Sequence, residues 1–126
     1  MIEILNENDF AWVNAIHHEA FGKNLSSKDF KVPYKIIGIR NLAYMIYTEV
    51  LNEVEIIFIA VDAAHKRQGL ATEIINAIDG TIYLDVNENN FGAINFYKAC
   101  EFTEYARRKN YYPDGDAILM KREERC

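Results

Sequence analysis

Along residues 9 to 21, apolar positions recur at intervals of three and four; over much of the rest they alternate with polar ones or form short runs. The first spacing predicts a helix from Asp9 to Phe21, with Phe10, Val13, Ile16, His17 and Ala20 on one face, Asp9 as cap and Gly22 as stop. A short strand near Ile2 to Leu5 precedes it, and a short helical segment near Ser27 to Phe30 follows. Tyr34 to Arg40, Ala43 to Val50 and Glu53 to Val61 read as strands, the last two joined antiparallel through a tight turn at Leu51-Asn52. After Val61 a polar loop, Asp62 to Gln68, leads into a helix from Gly69 to Ile78, which Asp79-Gly80 ends. Thr81 to Val86, rich in β-branched and aromatic residues, predicts a strand. Gly92 to Cys100 reads as a helix with Ile94, Tyr97 and Lys98 offset by three and four. Phe102 to Tyr112 and Ala117 to Arg122 close the chain as a strand pair across the turn sequence Pro113-Asp114-Gly115-Asp116.

Strands and helices alternate while several strand pairs are antiparallel. The fold class is therefore α/β, with a mixed, mostly antiparallel sheet and helices on both faces. The 126 residues suffice for one core and are too few for two ordinary domains, so residues 1–126 read as a single domain. A composition that is 50% hydrophobic and 13% aromatic excludes the disordered and collagen-like classes. No window approaches the roughly 18 apolar residues that span a bilayer, and Met1 to Asn6 lacks a signal-peptide pattern, so no membrane association is expected. Cys100 and Cys126 lie far apart and outside any Cys-x-x-Cys pair, which suits a reduced, cytoplasmic protein, with Cys100 a structural thiol. His17, His18 and His65 form no ligand set with them, so no metal is expected. The net charge of −5 disfavours nucleic acid as a partner and suits a basic peptide or a polyamine. The sequence sets no oligomeric state.

Chemistry concentrates in two stretches. In the first, Ile59-Ala60-Val61 delivers a basic loop, His65-Lys66-Arg67, to a helix start at Gln68-Gly69-Leu70-Ala71-Thr72. First-turn amides have no acceptor within a helix, small residues let an anion approach the backbone, and two cations stand beside them. Together they predict a pyrophosphate cradle. Its glycine spacing fits neither a Walker loop nor a dinucleotide fingerprint, and the plainer reading is a solvated turn. In the second stretch, Asp85 to Phe102, a strand turns through asparagines into an amphipathic helix.

Arg67-Gln68-Gly69-x-Ala71, then Asn90-x-x-Ala93-x-x-x-Tyr97, then Phe102, resembles the GNAT superfamily of N-acetyltransferases. Within it, Arg108-Lys109-Asn110-Tyr111-Tyr112-Pro113 followed by Asp116-Ala117 resembles the ribosomal-protein alanine N-acetyltransferase (RimI) family. The sequence departs from the pattern in three places. Lys66 replaces an Arg or Gln, Asp85 stands where a glutamate general base is usual, and the segment before Asp79-Gly80 is about two turns short.

The resemblance implies a splayed strand pair and acetyl-CoA as cosubstrate. Contacts to it would come from the backbone of Ile59, Ala60 and Val61, from Lys66, Arg67, Gln68, Gly69, Leu70, Ala71 and Thr72, and from Asn90 and Ala93. It implies Tyr97 as general acid towards the coenzyme sulfur, Asp85 as general base with Glu88 and Glu101 as substitutes, and Tyr111 and Tyr112 along the acceptor groove. Each has a plainer reading: core aromatic for Tyr97, strand-end carboxylate for Asp85, helix cap for Asn90, packing for the tyrosine pair. The implied acceptor is the N-terminal amine of a ribosomal protein. The alternatives are a small amine (polyamine, amino sugar or amino acid) or an acyl-CoA-binding module without catalysis.

Overall fold

The computed structural model describes residues 1–125; Cys126 lies outside the described residues. The chain first makes a short strand, β1 (Glu3–Ile4), then enters α1 (Phe10–Phe21) through a 3-10 turn at Glu7–Asp9. Asn6, rather than Asp9, caps this start. Its side chain accepts the Asn8 amide at 2.8 Å, while the Asp9 carboxylate reaches back to the Asn6 amide at 3.0 Å, a reciprocal capping box. The Asp9 carboxylate is buried and takes two further donors, the Trp12 indole at 3.1 Å and Arg40 at 2.8 Å. Burial pushes its pKa up, but the Asn6 amide, Trp12 and Arg40 outweigh that and hold it below the usual range. Val13, Ile16 and His17 face the core as the spacing predicted; Ala20 does not, because the last turn of α1 is exposed before Gly22.

The remaining elements are β2 (Lys35–Ile39), β3 (Ala43–Val50), β4 (Glu53–Val61), α2 (Leu70–Asn76), β5 (Thr81–Asn87), α3 (Phe91–Ala99), β6 (Thr103–Tyr112) and β7 (Gly115–Arg122). The seven strands make the expected mixed, mostly antiparallel sheet, and no helix among the described residues is long and apolar enough to cross a membrane.

Contacts divide the chain into two units, the first Met1–Glu49 with Ile56–Ile78, the second Val50–Glu55 with the chain from Asp79 onward. In the first, the strand order is β1-β2-β3-β4; β1 pairs antiparallel with β2 (Glu3 opposite Gly38) and β2 with β3 (Ile37 opposite Met45). Its core gathers Leu5, Val13, Ile16, Leu25, Ile36, Tyr44, Ile46 and Ala60, and each large apolar side chain so buried stabilises by roughly 1.5–3 kcal/mol. In the second unit the start of β4 pairs parallel with β5, from Glu53 opposite Thr81 to Glu55 opposite Tyr83. Antiparallel ladders then run β5 to β7 and β7 to β6. The β4–β5 ladder registers three pairs, in strands of nine and seven residues. The turn before β4 is of the mirror-image hairpin kind, Leu51 and Asn52 both having positive φ (49° and 68°).

Element ends differ from expectation for local reasons. α2 is shorter than the predicted Gly69 to Ile78: Gly69 is left-handed, and the amides of Ala77 and Ile78 bond one residue nearer than in an α-helix, to Ile74 and Ile75. α3 begins one residue earlier because Asn90 caps it, and ends at Ala99 because Glu101 is left-handed. Lys98 lies exposed and pairs with Glu104 at 3.5 Å. β7 starts at Gly115, so the last turn is Pro113-Asp114 alone.

The core of the first unit holds a polar pair. His17 Nδ1 and the Tyr44 hydroxyl stand 2.5 Å apart, both fully buried, and Phe58 meets the imidazole edge-on at 4.7 Å. Burial pushes the His17 pKa down, with Asp29 opposing and His18 assisting. A folded pKa below the unfolded value means the unfolded chain binds the proton first. Stability should therefore fall as pH drops below about 6.5, by at most about 1.4 kcal/mol per pH unit from this residue. Chemical denaturation between pH 7.5 and 5.5 checks this; in His17→Gln that part of the slope should vanish.

Candidate active site

The cradle stretch lies wholly in the first unit. β4 alternates: Ala60 is buried in the core, while Ile59 and Val61 are half-buried on the other face. Past Val61 the chain is pinned twice, the Asp62 amide donating to the Leu42 carbonyl (2.7 Å) and the Ala63 amide to the Glu19 carboxylate (3.1 Å). A 3-10 turn at Ala63–His65 follows, tied by His65 Nδ1 and Asp62 Oδ2 at 2.7 Å. The backbone then becomes left-handed at Arg67 (φ 64°) and Gly69 (φ 77°). The first α-helical bond of α2 runs from the Glu73 amide to the Gly69 carbonyl at 2.9 Å, so the amides of Leu70 and Ala71 precede any acceptor within the helix. Ile74 and Ile75 bury the opposite side of α2 and hold it in place. Lys66, Arg67, Gln68 and Gly69 are exposed, Leu70, Ala71 and Thr72 half-buried, and among the described residues neither Lys66 nor Arg67 makes a salt bridge. A Cβ built on Gly69 would meet nothing within 4 Å, so its backbone is open to approach. This donor set, amides plus two unpaired cations, fits an anion such as a pyrophosphate.

The second unit holds the other candidates. Asn90 caps α3, its side chain accepting the Ala93 amide at 3.2 Å, which is the plainer of its two readings. Tyr97 is half-buried on α3 between Phe96 (ring centroids 5.4 Å) and Phe102 (5.6 Å). Burial first, then the charges of Cys100 and Tyr112, push its pKa up to about 12, so the phenol is a weaker acid than the ordinary value near 10 suggests.

Asp85 lies on β5, half-buried on the face opposite Ile82, Leu84 and Val86. Among the described residues no hydrogen bond or salt bridge occupies its carboxylate. The substitutes differ. Glu88 accepts the Asp116 amide at 2.6 Å and Arg107 at 3.3 Å, and Glu101 pairs with Arg125. Tyr112 is half-buried, its pKa raised by burial, then by Asp85 and Tyr111; Tyr111 is exposed and meets Tyr112 edge-on at 5.0 Å. Tyr112 is thus the electrostatic neighbour of Asp85, Tyr97 and Tyr111 alike. Among the described residues no group of three or more His, Cys, Asp or Glu side chains is placed to hold a metal.

The sequence profile of the acetyltransferase (GNAT) family matches residues 34–102, a span holding Lys66 to Thr72, Asp85, Asn90 and Tyr97. The chain belongs to the acetyltransferase (GNAT) family. Among curated relatives of this GNAT member, [ribosomal protein bS18]-alanine N-acetyltransferase of Escherichia coli (strain K12) is 39% identical over 90 residues, 62% of this chain and 61% of that one. The chain thus spans less than two thirds of that relative's length. Among solved structures, ribosomal-protein-S18-alanine N-acetyltransferase from Escherichia coli aligns with a TM-score of 0.85 at 27% identity, covering 100% of this chain and 94% of that one. Arabidopsis thaliana Naa50, in complex with the bisubstrate analogue CoA-Ac-MVNAL, shares the fold, with a TM-score of 0.80 at 17% identity over 98% and 97% of the two chains.

Other residues that the sequence reading did not single out position the candidate site. Glu19 and Leu42 fix the loop before the cradle, and Asn87 and Asn89 bond to the Asp114 turn at 2.7 and 2.8 Å. The asparagine run was the available signal for the second set; the Glu19 carboxylate and the Leu42 carbonyl, both distant in sequence, leave none.

Two glycines with equally open surroundings should respond oppositely to alanine. Gly69→Ala should cost roughly 1 kcal/mol, because a Cβ opposes the left-handed conformation. Gly92→Ala, inside α3, should stabilise by about 0.5 kcal/mol. Denaturant midpoints of the two variants check both signs.

Proposed function

We propose that the chain, as one domain over residues 1–126, transfers the acetyl group of acetyl-CoA to a primary amine, the N-terminal amine of a ribosomal protein. The observation that carries this is the GNAT match over residues 34–102, a span that includes the cradle and the candidate acid and base and so supports reading them as one site. The name of the Escherichia coli relative, an alanine N-acetyltransferase of ribosomal protein bS18, supports the acceptor class. The coenzyme A–peptide analogue bound by Naa50 supports direct transfer in a ternary complex. The net charge of −5 suits a basic acceptor tail, and the burial of Cys100 suits a reduced cytoplasmic setting.

Amine acetylation needs a deprotonated amine, a polarised thioester carbonyl and a stabilised departing thiolate. The cosubstrate supplies the activated acetyl group. In this reading Lys66, Arg67 and the amides of Gln68 to Thr72 bind its pyrophosphate, and Asn90 and Ala93 hold the arm beside α3. Ile59, Ala60 and Val61 give the arm a strand edge, from which a backbone amide faces the thioester oxygen. Asp85, whose carboxylate has no competing partner among the described residues, takes the ammonium proton, directly or through a water, since aspartate is one methylene shorter than the family's glutamate. Tyr97 remains protonated at neutral pH and donates a hydrogen bond to the departing sulfur. The second proton, which the nitrogen sheds as the amide forms, passes to water, and the thiolate, hydrogen-bonded by Tyr97 because complete transfer from a phenol near pKa 12 is uphill, takes its proton from solvent. Tyr111 and Tyr112 flank the acceptor.

Tyr97→Phe should retain acetyl-CoA binding while kcat falls about 100-fold, the low end of the range for losing one donor to developing charge. Asp85→Asn should weaken turnover and remove the acidic limb of the pH–rate profile. Coenzyme A release and peptide mass, measured on an N-terminal peptide panel beside polyamines, amino sugars and amino acids, check both and assign the acceptor. Release with small amines alone would replace the protein acceptor; release with none would leave a binding module.

A further inference from the structure

We infer that Glu88 and Asp116 are positioning residues for the acceptor, forming a clamp that fixes the Tyr111–Tyr112 end of β6 relative to Asp85; this rests on the acetyl-transfer reading above. That end of β6 is poorly held by its own ladder. Arg108 lies opposite Ala117 and Tyr112 opposite Gly115, so three residues of β6 face the single residue Asp116 of β7. Asn110 takes a positive φ of 54° within this bulge. A bulge forfeits ladder bonds and redirects the strand, and β6 is an edge strand.

Side chains supply what the ladder loses. Asp116 Oδ1 accepts the Asn110 amide at 2.9 Å, and its Oδ2 faces Arg107 at 3.4 Å. The Asp116 amide donates to Glu88 Oε2 at 2.6 Å, and the Glu88 amide returns a bond to the Asp116 carbonyl at 3.0 Å. Glu88 Oε1 takes Arg107 as well, so one guanidinium bridges both carboxylates. Gly115 lets the strands close: a Cβ there would stand 2.9 Å from Asn89 Nδ2 and 3.0 Å from Glu88 Oε2. Asn87 and Asn89 hold Asp114 beside it.

These bonds join the segment that follows Asp85 to the turn that follows Tyr112. An ordinary two-residue hairpin turn needs none of them. They set where Tyr112 stands relative to Asp85, whose charge it feels, while Asp85 itself has no hydrogen-bond or salt-bridge partner among the described residues. Glu88 is therefore spent on geometry and is no substitute base.

The test uses the full chain and a defined N-terminal peptide that the wild type acetylates. Glu88→Ala should raise the peptide KM about tenfold, the effect of losing a charge-assisted bond, while the acetyl-CoA KM stays within about twofold. Glu88→Gln keeps an acceptor for the Asp116 amide and should recover most of that loss with an unchanged pH–rate profile. Hydrogen exchange at the Asp116 and Asn110 amides should accelerate in Glu88→Ala and return towards wild type in Glu88→Gln. An unchanged peptide KM in Glu88→Ala overturns the positioning role, and a kcat collapse in Glu88→Gln makes Glu88 a base instead. Failure of the wild type to acetylate any peptide would instead remove the protein-acceptor reading; slow exchange in Glu88→Ala would remove the clamp whatever the activity.

Discussion

Between β4 and α2 the backbone changes hand, and the cap residue Gly69 has no side chain to occupy the first amides of α2. The change is made at Arg67 and Gly69, both left-handed. It leaves the Leu70 and Ala71 amides ahead of the first intrahelical bond, beside Lys66 and Arg67, in a chain that is otherwise net negative. Because α2 has only seven residues, its macrodipole is small, and anion binding must come from nearby amides and the two cations. Everything proposed about acetyl transfer begins there, since a bound pyrophosphate fixes where the rest of the cosubstrate lies.

Most elements were legible in the sequence because they follow periodicity. The spacing of Val13, Ile16 and His17 gave α1, the alternation of Ile82, Leu84 and Val86 gave β5, and both elements stand. What the spacing missed depends on one specific polar partner. Asp9 read as a cap by residue type and position, yet Asn6 takes that role and Asp9 becomes a buried acceptor for Trp12 and Arg40, the latter 31 residues away. α2 lost both predicted ends because glycine conformation and a 3-10 closing turn lie below the resolution of hydrophobic pattern.

The candidate site divides the same way. Motif order was visible, so the GNAT family could be reached from Gly69, Asn90 and Tyr97 before any coordinates. Two properties were not visible. Tyr97 has an ordinary phenol's chemistry on paper, and its burial, with smaller help from Cys100 and Tyr112, raises its pKa. Motif position put Asp85 first as base, with Glu88 and Glu101 as substitutes; only the structure shows that both substitutes are engaged while, among the described residues, Asp85 is not.

The central claim concerns what the cradle recognises, so the decisive measurement is calorimetric titration with coenzyme A beside pantetheine, which lacks the pyrophosphate. Coenzyme A should bind at least about tenfold more tightly, and Lys66→Ala or Arg67→Ala should erode that advantage without touching pantetheine. Equal affinities, or a margin insensitive to both cations, would contradict a pyrophosphate held at the start of α2.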